Sequence, residues 1–409
     1  MAKQNNKPVR PKKQTKSRFR RITDWMHLWL GMVSGIIIFI VAVTGCLFAF
    51  QVEITNWIYR DKLYVETTET SHALPLTVIQ RNAQAALAPG RQINAITTYA
   101  DKNRAWEAIT YKAGDPKGLF YFDTIAYYDL LLINPYTGKV VSIEDYKFNF
   151  FNIVKAIHWS LLLNDAYGQQ IVGYSTLIFV VLLITGMIMW WPKKWNKANR
   201  DKSFKIKWNA KFKRVNYDLH NVAGFYALLI MLVLSLTGLV WAFEWFQKGV
   251  YIVASQSTTP LEYKNMTSDS IQTAIVSDPL DLAFRETKRL IPNAIRYSMS
   301  PAHGNTGVIY ASAYHGKEIY YDFDGLQFDR YTGKLLYRKN NAEKSVGEKL
   351  IGMNYDIHVG AILGLPGKIL AFLGSLIAAS LPVTGFLIWL GKKKKPKKQS
   401  ENRQTVQNQ

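Results

Sequence analysis

The stretches HLWLGMVSGIIIFIVAVTGCLFAF (27–50) and HNVAGFYALLIMLVLSLTGLVWAF (220–243) align without a gap. Each opens on a histidine, His27 or His220, with a glycine four residues later, Gly31 or Gly224. Each then carries Thr-Gly at one shared offset, Thr44-Gly45 and Thr237-Gly238, and closes on Ala-Phe. Both are long and apolar enough to cross about 30 Å of hydrocarbon as a helix. Two further apolar stretches, 171–191 and 369–390, follow the same rule. They contain Thr185-Gly186 and Thr384-Gly385, which lie 27 and 26 residues after His158 and His358. The chain therefore reads as a four-transmembrane-helix bundle built from two parallel repeats. A cleaved signal is a poor reading of the first stretch, which is long, lacks a clear small-residue cleavage site and has a counterpart later in the chain.

The stretches between the spans repeat as well. Tyr136-Thr137-Gly138-Lys139 answers Tyr331-Thr332-Gly333-Lys334, each a turn between strands. Leu74-Pro75-Leu76 answers Asp278-Pro279-Leu280, and proline opens a helix-like run in each. Alternating runs at 106–112, 120–123, 308–313 and 319–323 read as strands. Each repeat is thus span, external α+β module, span.

The net charge of +22 is confined to three places. Residues 1–21, 192–214 and 391–409 hold 26 of the 51 Lys and Arg and only two of the 29 acidic residues. All three flank the spans on one side, the pattern of cytoplasmic loops. This places both termini and the central loop in the cytoplasm, and it argues for contact with anionic lipid headgroups at 392–398 rather than with nucleic acid. The expected order is a basic tail (1–24), a span (25–52), a module (53–149), an interfacial helix with a span (150–191) and a basic loop (192–216). The second half repeats it: span (217–247), module (248–345), pre-helix with span (346–390), basic tail (391–409). Cys46 is the single cysteine, so intrachain disulfides, thiolate clusters and paired-Cys attachment of a cofactor are excluded.

Histidine at the end of a membrane helix is costly and is a functional hypothesis by default. His27 and His220 lie at the basic end of their spans, each six residues after an arginine, and His158 and His358 lie at the other end. Paired by depth, they form two metal or haem sites stacked across the membrane. The alternative for each is a cap or a satisfied core residue. Gly31 and Gly224 leave room on the face of their histidines. Gly45 and Gly238, about five turns further on, reach the depth of the outer pair, and Gly186 and Gly385 reach that of the inner pair. The alternative there is close packing of helices through small residues. His158 is too far from Trp191 for a single crossing, so a break is expected at 164–168, and at 364–367 in the second half. Asp24, Asp218 and Asp356 read as capping residues. Trp57, Trp159, Trp241 and Trp245 fit an interfacial aromatic belt. His72, His303 and His315 are external surface residues; His303 and His315, with Arg296, Tyr310, Tyr314 and Lys317, form a low-ranking set for touching a bound ligand.

The opening His-x-x-x-Gly with its later Thr-Gly resembles the PepSY-associated transmembrane helix family. So do the module that ends in Asn134-Pro135-Tyr136-Thr137-Gly138-Lys139 and the closing Thr-Gly-x-x-x-Trp, over about residues 20–395. The resemblance implies PepSY-like modules outside an inner membrane, a role in iron uptake and two haem b groups with bis-His ligation. It makes the chain similar to haem-containing ferric-siderophore reductases, so the expected partners are a ferric siderophore or other ferric chelate and, as no nucleotide motif is present, a quinol or a separate protein as electron donor. No Gly-x-Gly-x-x-Gly motif signals a nicotinamide or flavin domain. Two other readings stay open: a haemless PepSY protein that binds or regulates a peptidase, and a transporter of chelates.

Overall fold

The computed structural model describes residues 17–68, 70–192, 194–259, 264–268, 276–317 and 319–393. Most of the basic tails expected at 1–24 and 391–409 therefore lies outside the described residues. The helices that matter here are α1 (Arg18–Phe48), α2 (Leu76–Ala85), α3 (Phe150–Ser160) and α4 (Asp165–Trp190). They continue with α5 (Phe212–Ala242), α6 (Pro279–Leu290), α7 (Val346–His358) and α8 (Gly364–Lys393). Among the described residues, helices α1, α4, α5 and α8 are the four long, apolar ones, and the protein is a multi-pass membrane protein. About 30% of each apolar window is buried within the protein; the remaining surface is apolar and suits lipid. Ile38, Ala42, Phe179, Leu183, Ala227, Met231, Ala378 and Ala379 knit the four helices together at mid-height.

Beyond the helix ends lies a single eight-stranded antiparallel sheet. Its strands are β1 (Ala95–Tyr99), β2 (Trp106–Ala113), β3 (Ile125–Ile133), β4 (Val140–Asp145), β5 (Arg296–Ser300), β6 (Val308–Tyr314), β7 (Phe323–Asp329) and β8 (Leu335–Lys339). The order is β4-β3-β2-β1-β5-β6-β7-β8, so each half contributes a four-stranded meander. The two α+β modules expected as separate units are joined where β1 pairs with β5, Thr97 opposite Ser298. Alternation along the strands sends Ile96, Ala108, Leu131, Met299, Ala311 and Leu326 to one face, where they pack with Leu76 and Ile79 of α2 and Leu280 and Ala283 of α6.

Two expected strands are absent. Residues 120–123 form a helical turn, Tyr121–Thr124, because the Asp123 carboxylate accepts the Phe120 N–H at 3.1 Å. Residues 319–322 are not paired, because the Asp356 carboxylate takes the amides of Tyr320 and Tyr321, each at 3.0 Å. Local side-chain acceptors compete with a ladder for the same N–H groups.

The folding back of α3 onto α4 positions His158. Asn149 caps α3 by accepting the Phe151 N–H at 3.0 Å. The helix ends in two left-handed residues, Leu161 (φ 57°) and Leu162 (φ 61°). Asn164 then caps α4 through the Ala166 N–H (3.0 Å), and its Nδ2 donates to the oxygens of Pro116 and Gly118. Gly168 lies against the Ser160 carbonyl so closely that a methyl group would overlap it. The break is thus at 161–164, slightly before the expected one. In the second half it falls at Val359–Leu363, where Gly360 (φ 78°) lies against the carbonyl of Gly367.

Candidate functional site

The four histidines come together as two pairs. The rings of His27 on α1 and His220 on α5 stand 6.3 Å apart between centroids, with planes at 89°. The rings of His158 at the end of α3 and His358 at the end of α7 stand 6.0 Å apart, at 68°. Within α5, His220 lies in a π-helical turn, Leu219–Ala223. Such turns widen the helix by one residue and gather at functional sites.

One local arrangement holds all four rings. Each histidine Nδ1 meets the hydroxyl of a Thr-Gly pair on a neighbouring helix. His27 reaches Thr185 at 2.9 Å, His220 reaches Thr384 at 2.9 Å, His158 reaches Thr44 at 3.2 Å and His358 reaches Thr237 at 2.8 Å. Each threonine hydroxyl donates its own hydrogen to the carbonyl one turn back: Val181, Ser380, Ile40 and Val233, at 2.7–2.9 Å. A hydroxyl has one hydrogen, so towards the imidazole it accepts. Nδ1 therefore carries the proton, and His158 Nδ1 also donates to the Val41 carbonyl at 2.8 Å. The tautomer so fixed leaves the Nε2 lone pair free, and among the described residues no hydrogen bond reaches any of these four Nε2 atoms.

The glycine of each pair makes the space. A Cβ on Gly186, Gly385 or Gly45 would lie 3.3 Å from Cε1 of His27, His220 or His158. On Gly238 it would lie 3.8 Å from Cε1 of His358. These glycines were expected at those depths as room for a flat group; the structure places the imidazole edge itself against them. Gly31 and Gly224 instead line a cavity of about 760 Å³ that contains His27 and His220 and extends to Arg20, Asp24 and Lys392. This is within the usual size of a site for an organic cofactor.

The second half has a further clamp. Asn216 and Asn354, each four residues before a histidine, donate Nδ2 to the main-chain oxygens of Thr384 (3.1 Å) and Thr237 (3.0 Å). The chain carries the signal for this as Asn-x-x-x-His, twice. The aspartates behave otherwise than as caps. Asp218 accepts from Arg214 Nε at 2.8 Å and from the Lys207 amide, Asp356 holds the Tyr320–Tyr321 loop, and Asp24 lines the cavity. Trp57 and Trp245 are exposed, as an interfacial belt requires. Trp159 and Trp241 instead pack against each other at 6.1 Å, their rings tilted by 58°, and Trp241 packs on His358 at 5.3 Å.

Of the residues expected near an external ligand, Arg296, Tyr314 and His315 adjoin. Arg296 lies opposite Tyr314 across β5 and β6. His315 Nε2 is 3.6 Å from the Asp324 carboxylate, which makes it a paired side chain rather than a free surface one. His303 is exposed in the loop at the far end of the β5–β6 hairpin and does not join them. Tyr310 and Lys317 are exposed, as is His72.

Among the described residues no group of three or more His, Cys, Asp or Glu forms a metal cage. What the geometry offers is two imidazoles with free Nε2 atoms and ring centres about 6 Å apart, twice. Two imidazoles bound through Nε2 to opposite sides of one metal stand about 6 Å apart, given metal–nitrogen bonds of about 2 Å and roughly 1.1 Å from ring centre to nitrogen. The sequence pattern of the PepSY-associated TM region matches residues 25–392. The chain belongs to that family. No curated protein matches it.

Proposed function

We propose that this PepSY-associated membrane protein holds two b-type haems, one between each histidine pair, and passes single electrons across the membrane to a ferric chelate. The observation that carries this reading is the fourfold His–Thr–Gly arrangement, with ring spacings of 6.3 and 6.0 Å. The inner pair also opens on a cavity of about 760 Å³. A haem held by two imidazoles would supply reversible one-electron transfer.

The protein's own residues would do the rest. Thr44, Thr185, Thr237 and Thr384 hold each imidazole in the tautomer and orientation that a metal needs, as outer-shell partners do. The layer around Phe179 and Met231 keeps water from the space between the two sites. Seventeen residues of α1 separate His27 from Thr44, about 26 Å of helix. The charge pattern supports an inner membrane with the basic segments in the cytoplasm, the sheet outside and a quinol or separate protein as donor. The shared offsets in both halves support two parallel repeats, each with a PepSY-like half of the sheet.

The test is the absorbance spectrum of the purified full chain before and after dithionite, followed by addition of a ferric chelate. Low-spin haem bands that sharpen on reduction and revert with the chelate support the proposal. A haem-replete preparation without such bands contradicts it.

A further inference from the structure

One charged side chain outside the histidine sites has an environment that the fold alone does not explain. Tyr297 and Met299 of β5 point into the core with α2 and α6, so Arg296 points to the other face of the sheet. There its guanidinium carbon lies 4.1 Å from the centre of the Tyr314 ring and 4.7 Å from that of Tyr320, two rings set at 77° to each other. Its Nη2 is buried and has no hydrogen-bond partner among the described residues. A buried donor without a partner is uncommon and needs an explanation. The nearby Asp356 carboxylate is engaged by the amides of Tyr320 and Tyr321, and the Asp324 carboxylate faces His315 and Arg338.

Two aromatic rings that hold a guanidinium by cation–π contact leave the N–H donors along its edge for another partner. That edge presents parallel N–H donors, which match the two oxygens of a carboxylate. Tyr320 is 39% exposed and Arg296 itself is half-buried, which leaves an approach from solvent. The position also connects inward. Tyr320 meets Tyr355 at 5.3 Å, Tyr355 meets Trp241 at 6.4 Å, and Trp241 meets His358 at 5.3 Å. Three ring contacts thus separate Tyr320 from the outer histidine pair.

We infer that Arg296, with Tyr314 and Tyr320, is the receptor for a carboxylate-bearing anion on the sheet side of the protein, seated where it adjoins the outer histidine pair. The purpose of such a site, docking an anionic ferric chelate, rests on the electron-transfer reading; the binding does not.

The experiment uses the full chain in lipid nanodiscs, with ferric citrate as the anionic probe and a cationic ferric trihydroxamate as the contrast. The wild type is expected to bind ferric citrate, and Arg296→Gln to bind it at least about tenfold more weakly, as loss of a charged hydrogen-bonding partner does. Arg296→Lys is expected to recover little, since an ammonium lacks the planar fork. Arg289→Gln, at an exposed arginine on α6, should change nothing. Folding of each variant is checked by its thermal unfolding curve. Equal binding by wild type and Arg296→Gln overturns the inference, and so does the absence of ferric citrate binding by the wild type. If the protein carries no haem, the electron-transfer reading fails while the binding result still stands. If it carries haem and ferric citrate reoxidises Arg296→Gln at the wild-type rate, the docking site fails while the electron-transfer reading stands.

Discussion

His358 Nδ1 and Thr237 Oγ1 lie 2.8 Å apart, and that threonine gives its only hydrogen to the Val233 carbonyl at 2.7 Å. The hydroxyl is therefore an acceptor for His358, and the imidazole is fixed with its proton on Nδ1. The same relation recurs at His27, His158 and His220. Four repetitions across the two halves of the chain make Thr-Gly a receptor for histidine and not only a pair of small residues that lets helices pack.

Thr237→Val keeps the shape and removes the acceptor. The imidazole N–H then keeps only the Leu234 carbonyl as an acceptor on that helix, at a cost of about 0.5–1.5 kcal/mol. Haem affinity at the outer site should fall roughly 10- to 100-fold, as it does when an outer-shell partner of a ligand is lost. Titration of the haem-free protein with haem, resolved into two binding steps, checks this. Only one of the two steps should move.

Gly168→Ala should separate the two sites. A methyl group at that position overlaps the Ser160 carbonyl, so the fold-back that carries His158 to Thr44 must open. The outer haem should be lost while the inner one, held on α1 and α5, remains. A spectrum with one low-spin component instead of two is the expected result.

The sheet should carry a pH dependence of its own. Asp329 accepts hydrogen bonds from the amides of Tyr331 and Thr332 and from the Thr332 hydroxyl. Burial alone would raise its pKa, but these bonds and Ser268 outweigh it and hold the carboxyl below the usual range. The stability it gives is present above the unfolded pKa of about 3.9, and it is lost as pH falls through the lower folded value. Asn134 makes the matching bonds in the first half without a charge, through Tyr136 and Thr137. Asp329→Asn should therefore keep the turn and remove the acid sensitivity. Hydrogen exchange in β7 and β8, compared between about pH 3 and pH 6, measures both effects.

The helices were legible because hydropathy over twenty residues is a strong signal, and the histidine pairs were legible because the repeat put them at equal depths. The receptors were half legible. The glycines were singled out for the space they leave, but a sequence does not show that the hydroxyl beside each one faces another helix. Helix breaks were predicted from Asn164 and Gly364, but two left-handed leucines, 161 and 162, moved the first. The strands at 120–123 and 319–323 failed because alternation says nothing about acceptors. Asp123 and Asp356 take the amides that a ladder would need, and Asp356 is distant in sequence. Nor does either half reveal that β1 will find β5, since edge pairing depends on where the membrane helices place the two halves.

The central claim is that four histidines form two independent sites by depth. The most direct measurement is the haem-to-protein ratio of purified wild type, His27→Ala and His358→Ala, with their reduced absorbance spectra. The account predicts two haems in the wild type and one in each variant, with a different low-spin component missing from each. Two haems in either variant, or loss of both in His27→Ala with the fold intact, would contradict it.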